Sequence, residues 1–178
     1  MAHEKTDIEK IRDLIKDIRF AMLTTIDKDG SLHSRPMATQ ETEFDGDLWF
    51  FTAAGSPKVD EVERDERVNL SYAAPDDNRY VSISGTARLV RDRAKAKELW
   101  NPALKAWFPE GLDDPDLALL RVRVEKAEYW DSPSSKMVQL AGFVKAIATG
   151  KRADLGENEK LDLKGTVPQE EPVGTGRS

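Results

Sequence analysis

The sequence predicts a mainly β fold: a small antiparallel barrel of about six strands, flanked by helices. Three features carry that expectation. Apolar and β-branched stretches of strand length recur along the chain, turn signals join them through short antiparallel connections, and one-sided helical patterns are confined to the two ends and two insertions. A doubly wound parallel sheet would need a helix after almost every strand.

Ile8, Ile11, Ile15 and Ile18 recur at three- and four-residue steps between charged residues, the stripe of an amphipathic helix, with Thr6 or Asp7 as its cap. The period then changes. Phe20 to Ile26 reads as a strand, Asp29-Gly30 as a hairpin turn and Leu32 to Thr39 as the returning strand. A turn at Asp45-Gly46-Asp47 leads into a third strand, Leu48 to Thr52. The next helix begins at Ser56-Pro57-Lys58 and runs to about Arg64; Ser56 is the candidate cap, and the missing N–H of Pro57 costs nothing there.

Val68 to Ala74 and Tyr80 to Arg91 read as two further strands around the turn 74–78, with Gly85 marking a bulge or a close backbone approach. Asp92 caps a helix from Ala94 to Trp100, and Pro102 interrupts it before Ala103 to Phe108. In the stretch from Leu117 to Trp130, Leu120, Val122 and Val124 alternate with Arg121, Arg123 and Glu125, as a half-buried strand requires. Met137, Leu140, Val144 and Ile147 fall at helical spacing, and Gly150 is the stop signal. Apolar density collapses after it. Residues 1–163 therefore read as a single domain, and 164–178, rich in Gly, Pro, Glu and Thr, as a disordered tail.

Composition narrows the chemistry. The chain has 178 residues and no cysteine, so thiol nucleophiles, thiolate metal sites and redox-active cysteine pairs are excluded, and redox chemistry requires a bound cofactor. Acidic and basic residues are interspersed around a net charge of −6, without the basic stripe that nucleic acid demands. No apolar run is long enough to span a membrane and the N-terminus opens into charge, which points to a cytoplasmic protein. With only His3 and His33, a histidine metal centre is not expected. No Gly-x-Ser-x-Gly elbow or phosphate-loop motif occurs.

The ordered set Phe20-Ala-Met-Leu-Thr-Thr25, Asp29-Gly30, His33-Ser34-Arg35-Pro36-Met37, Leu48-Trp-Phe-Phe-Thr52, Ser56-Pro57-Lys58 and Asn69-Leu70-Ser71-Tyr72 resembles the split-barrel flavin proteins related to pyridoxamine 5'-phosphate oxidase, and within them the bacterial general stress proteins. The likeness runs from about residue 6 to about 163 and includes Gly156 to Lys160. It implies a six-stranded antiparallel split β-barrel that binds FMN, with FAD or a deazaflavin as alternatives. It also implies a homodimer with the flavin at its interface, for which Trp49-Phe50-Phe51 supplies more apolar surface than so small a barrel interior needs.

Some of that site is arguable from the residues. Gly55-Ser56-Pro57-Lys58, directly after a strand ending in Thr52, reads either as a phosphate seat at a helix N-terminus or as a plainly capped helix. His33, Arg35 and Met37 share one strand face, which is either solvated or functional. Pro36 marks an edge, a bulge or backbone reserved for a partner. The resemblance resolves these in favour of a flavin site. It implies Thr52, Ser56, Pro57 and Lys58 at the phosphate, Arg35 reaching toward it, and Pro36, Met37 and Phe51 along the flavin. Trp49 is expected in packing, while Trp107 and Trp130 are the candidates to complete the site from the second subunit. The function so implied is an FMN-dependent oxidoreductase of the general stress type with an unassigned substrate. Alternatives are a non-catalytic flavin-binding or sensing dimer and a true pyridoxamine 5'-phosphate oxidase; the last lacks support because no Arg-x-His-x-Arg occurs.

Overall fold

In the computed structural model, which describes residues 6–40, 44–132, 145, 147–149 and 157–165, Thr6 rather than Asp7 caps the first helix, α1 (Asp7–Ile15). The Thr6 hydroxyl accepts from the Glu9 amide, and the Glu9 carboxylate accepts from the Thr6 amide at 2.8 Å. Such a reciprocal cap is worth about 1 kcal/mol. Ile11, Leu14 and Ile15 then enter the main core.

The strands are β1 (Phe20–Ile26), β2 (Leu32–Ala38), β3 (Asp47–Ala53), β4 (Arg67–Ala74), β5 (Arg79–Val90), β6 (Leu117–Asp131) and β7 (Glu157–Asp162). They form one antiparallel sheet in the order β2-β1-β4-β5-β6-β3, with β7 also paired to β6. The first six match the expected strands to within one residue at each end. At the hairpin, Gly30 takes φ 83° and Asp27 and Ser31 close the turn, as Asp29-Gly30 promised. Pro36 lies on β2, at the edge of the sheet, where its lack of a donor is tolerated.

The seventh strand is a correction. The sequence reading ends the strands at Trp130, but Glu157–Asp162 returns to pair with Lys126 to Asp131. Its apolar signal is short because only Leu161 within it, and Leu163 just after, are buried. Helices α2 (Pro57–Arg64) and α3 (Arg93–Leu99) stand where expected, whereas Ala103 to Phe108 is a 3-10 turn over Pro102–Ala106 instead of a longer helix. Residues 145 and 147–149 are helical, in the span expected of the last helix. Met137, Leu140 and most of the expected tail lie outside the described residues.

The curl of the sheet has a local cause. Ser84 pairs with Lys126 but Gly85 with Val124, so Glu125 is an extra residue in β6. On the β3 side, β6 pairs up to Arg123; beyond the bulge its partner is β7, from Lys126 onward. The bulge therefore bends one long strand from one neighbour to another and closes a half-barrel. Gly85 permits it, since a Cβ there would lie 2.0 Å from the Arg123 carbonyl oxygen.

Trp49-Phe50-Phe51 does not provide the surplus surface expected of it. Phe50 is buried in the main core; Phe51 meets Trp100 edge-on with ring centres 5.8 Å apart, and Trp49 lies beneath Lys95 and Arg121. This run belongs to the chain's own packing, Phe50 in the main core and Trp49 and Phe51 in a small second cluster with Leu99 and Leu119. Among the described residues no helix is long and apolar enough to cross a membrane.

Because the clash at Gly85 is with backbone, Gly85→Ala is expected to destabilise the fold by about 3 kcal/mol, the upper end of overpacking costs. For a chain of this size that lowers Tm by about 6–12 °C, measurable by calorimetry. An unchanged Tm would mean that the bulge is not held closed by this approach.

Candidate functional site

Ser56 has extended backbone angles at the start of α2, as a cap should, yet its hydroxyl makes no capping bond. It turns instead toward Thr52, Oγ to Oγ1 at 3.3 Å, and accepts from Lys58 Nζ at 3.2 Å. Pro57 has no N–H to offer. The Gly55 amide is taken by the Asp116 carboxylate at 3.0 Å, and the Ser56 amide by the Ala53 carbonyl at 3.1 Å. What the head of α2 presents is thus a side-chain set, two hydroxyls and an ammonium.

Arg35 reaches the same helix from β2. Its Nη2 donates to Glu61 Oε2 at 2.6 Å and its Nη1 donates to the Thr25 hydroxyl of β1. Thr25 and Glu61 are both buried, and the Thr25 hydroxyl lies within hydrogen-bond reach of Glu61 Oε2. His33 Nδ1 stands 3.3 Å from the other Glu61 oxygen. His33, Arg35 and Met37 therefore do share one face, and the first two converge on a carboxylate that the sequence reading did not single out. A buried carboxylate needs this many partners.

Burial alone would push the Glu61 carboxyl up; the bonds from Thr25, His33 and Arg35 and the guanidinium charge outweigh it and hold it below the usual carboxylate range. Lys58 is held below the usual ammonium range, first by burial and then by the nearby charge of Arg35, with Glu61 opposing. Arg35 is paired to Glu61, whereas the Lys58 ammonium bonds the Ser56 hydroxyl and has no ion pair among the described residues. The cluster can receive an anion, and its hydroxyls can complete the coordination of a phosphate.

Of the residues named from sequence, Arg35, Thr52, Ser56, Pro57 and Lys58 come together around this cluster. Met37 is buried on the same face as Arg35, Phe51 is half-buried in the second cluster, and Pro36 points outward. Among the described residues neither Trp107 nor Trp130 has a hydrogen bond or ring contact with the cluster; they are 67% and 42% exposed, and Trp130 lies twelve residues along β6 from Ala118, the partner of Thr52. Trp130 pairs with Tyr80 on the outer face, where Phe20 and Met22 are also exposed. Glu61 and Thr25 were missed because their type and position match those of surface residues; the one hint is a carboxylate beside Val62 on the buried side of a short helix facing an inward arginine.

The chain matches known proteins over most of its length. The sequence profile for proteins described as pyridoxamine 5'-phosphate oxidase like aligns with residues 6–154. Protein bli-3 of Neurospora crassa is 36% identical over 166 residues, covering 86% of this chain and 79% of the relative. Among crystal structures, the general stress FMN/FAD binding protein of Xanthomonas citri aligns with TM-score 0.62 and 35% identity over 72% of this chain and 90% of its own. General Stress Protein 26 of Bacillus anthracis gives TM-score 0.61 and 26% identity over 68% and 91%.

Since the Glu61 carboxyl is depressed in the folded protein, its contribution to stability is complete above the ordinary glutamate value of 4.5 and is lost as pH falls through the lower folded value. Glu61→Gln, which leaves Arg35 without its counter-charge, is expected to cost about 3 kcal/mol in urea unfolding at neutral pH, with the gap to the parent shrinking in acid. A gap independent of pH would show that the pair is not ionic.

Proposed function

The chain belongs to the pyridoxamine 5'-phosphate oxidase-like family of split-barrel proteins, and from that premise we propose that it is a cytoplasmic flavoprotein of the general stress type, a homodimer binding FMN at the cluster around α2. One observation carries the reading: the Lys58 ammonium, which has no ion pair among the described residues, stands near Arg35 beside two hydroxyls that are not spent on capping. That set suits a terminal phosphate monoester, which is why FMN is favoured over FAD or a deazaflavin.

Lys58 and the Ser56 and Thr52 hydroxyls would hold the phosphate, and Arg35, kept in place by Glu61 and Thr25, would add charge from the side. Guanidinium has more donors than its two bonds to Thr25 and Glu61 use. Pro36, Met37 and Phe51 would run along the flavin. Bound FMN supplies the electron transfer, while the chain supplies orientation and access, consistent with an oxidoreductase whose substrate is unassigned. The homodimer is supported by Phe20, Met22, Tyr80 and Trp130, apolar side chains exposed on one sheet face. Trp107 and Trp130 would complete the site across that interface.

Titration with FMN, followed by visible absorption, tests the seat. Lys58→Ala and Arg35→Ala are each expected to weaken binding by about 1.5–3 kcal/mol, the worth of a charge-assisted hydrogen bond. A parent protein that leaves the visible spectrum of FMN unchanged at saturating concentrations would overturn the assignment, and a monomer carrying flavin in sedimentation would remove the interface from it. Because the Lys58 ammonium loses its proton below the ordinary 10.5, FMN affinity should fall as pH rises toward that value. In Lys58→Ala that decline should be absent; its persistence would assign the titration to another group.

A further inference from the structure

We propose that Lys58 is a modification site, acylated by acyl phosphates that dock in the cluster at the head of α2, and that the modification removes the ammonium charge from that cluster. The proposal rests on the reading of the cluster as a phosphate seat.

Lys58 differs from other lysines of the chain in what surrounds it. Lys10, Lys16, Lys95 and Lys164 each stand 2.7–3.2 Å from a carboxylate, which keeps an amine protonated and unreactive. Lys28 and Lys97 are exposed to water, which favours the ammonium as well. Lys58 is only partly exposed, has no ion pair among the described residues, and bonds a neutral oxygen, Ser56 Oγ, at 3.2 Å. Glu61, one turn further along α2, is already met by Arg35, Thr25 and His33. Burial and then the Arg35 charge hold the Lys58 ammonium below its usual range, so more of it is the free amine that attacks a carbonyl carbon.

The same surroundings select the reagent. A simple ester has nothing for Thr52, Ser56 and Arg35 to hold, whereas an acyl phosphate ends in a phosphate that suits the two hydroxyls and the guanidinium donors left over from Thr25 and Glu61. Docked by that end, it meets the amine in an effectively intramolecular reaction. The neutral amine attacks the carbonyl carbon, a C–N bond forms, and the acyl C–O bond breaks. Inorganic phosphate leaves with the bonding pair and takes up the proton shed by nitrogen. The product is an uncharged amide that can no longer pair with a flavin phosphate.

The probe is acetyl phosphate, applied to the full chain at neutral pH, with the N-hydroxysuccinimide ester of acetic acid as the reagent without a phosphate. Peptide mass spectrometry reads the rate at each lysine. With acetyl phosphate, Lys58 is expected to react at least about tenfold faster than Lys28 or Lys97, a small part of what docking can contribute. With the ester that advantage should shrink, and excess inorganic phosphate should slow Lys58 alone. Protein acetylated at Lys58 should bind FMN about tenfold or more weakly. No advantage at Lys58, an equal advantage with both reagents, or a rate that inorganic phosphate does not slow overturns the proposal. Any of these with FMN still bound removes this inference alone. Selective, phosphate-sensitive acetylation of a chain that does not bind FMN would keep the phosphate seat and remove the flavin from it.

Discussion

A carboxylate taken out of water must be paired, and at Glu61 that requirement fixes where α2 lies. Glu61 is met by a hydroxyl from β1, an arginine from the edge strand β2 and a histidine two residues before it. Those bonds form only if the helix sits over the β1–β2 hairpin in one register. Replacing such a cluster by apolar residues is often neutral or stabilising, so its net energy is not what the arrangement offers. It offers position: the same register sets Lys58 and Ser56, three and five residues earlier, beside Arg35.

The scaffold beneath this cluster is built by a different constraint. The long strand β6 has to serve β3 along one half and β7 along the other, and the bulge at Glu125 against Gly85 is where it changes partner. Curling there leaves β2 and β3 as the ends of the strand order, with the α2 connection beginning just beyond β3. The candidate site thus stands at the open edge of the half-barrel, where a helix start, an edge strand and solvent meet. The interior, with Leu23, Leu70, Ile83 and Val122 fully buried, is closed to a cofactor.

Much of this was legible in the sequence, because strands with one buried face write their period into the chain. Leu120, Val122 and Val124 against Arg121, Arg123 and Glu125 gave β6; Asp29-Gly30 gave the hairpin; and Pro36 marked an edge. β7 was illegible because an edge strand with so few buried side chains looks like polar linker. Glu61 was illegible for a related reason. Lys58, Asp60, Glu61, Glu63 and Arg64 make α2 look like a solvated helix, and only the third dimension selects the one carboxylate that faces Arg35. Trp49-Phe50-Phe51 misled in the opposite sense, since the main core takes Phe50 while α3 and the turns after it form a second small core that absorbs Trp49 and Phe51.

If the cluster around α2 is a phosphate seat, riboflavin, which is FMN without its phosphate, should bind there far more weakly than FMN. Affinities of the two flavins should be measured by fluorescence quenching on the parent and on Lys58→Ala. The parent is expected to favour FMN by at least about a hundredfold, the worth of one to two charge-assisted bonds, and the variant to lose most of that preference. Equal affinity of the parent for FMN and riboflavin would contradict the account and move the cofactor away from α2.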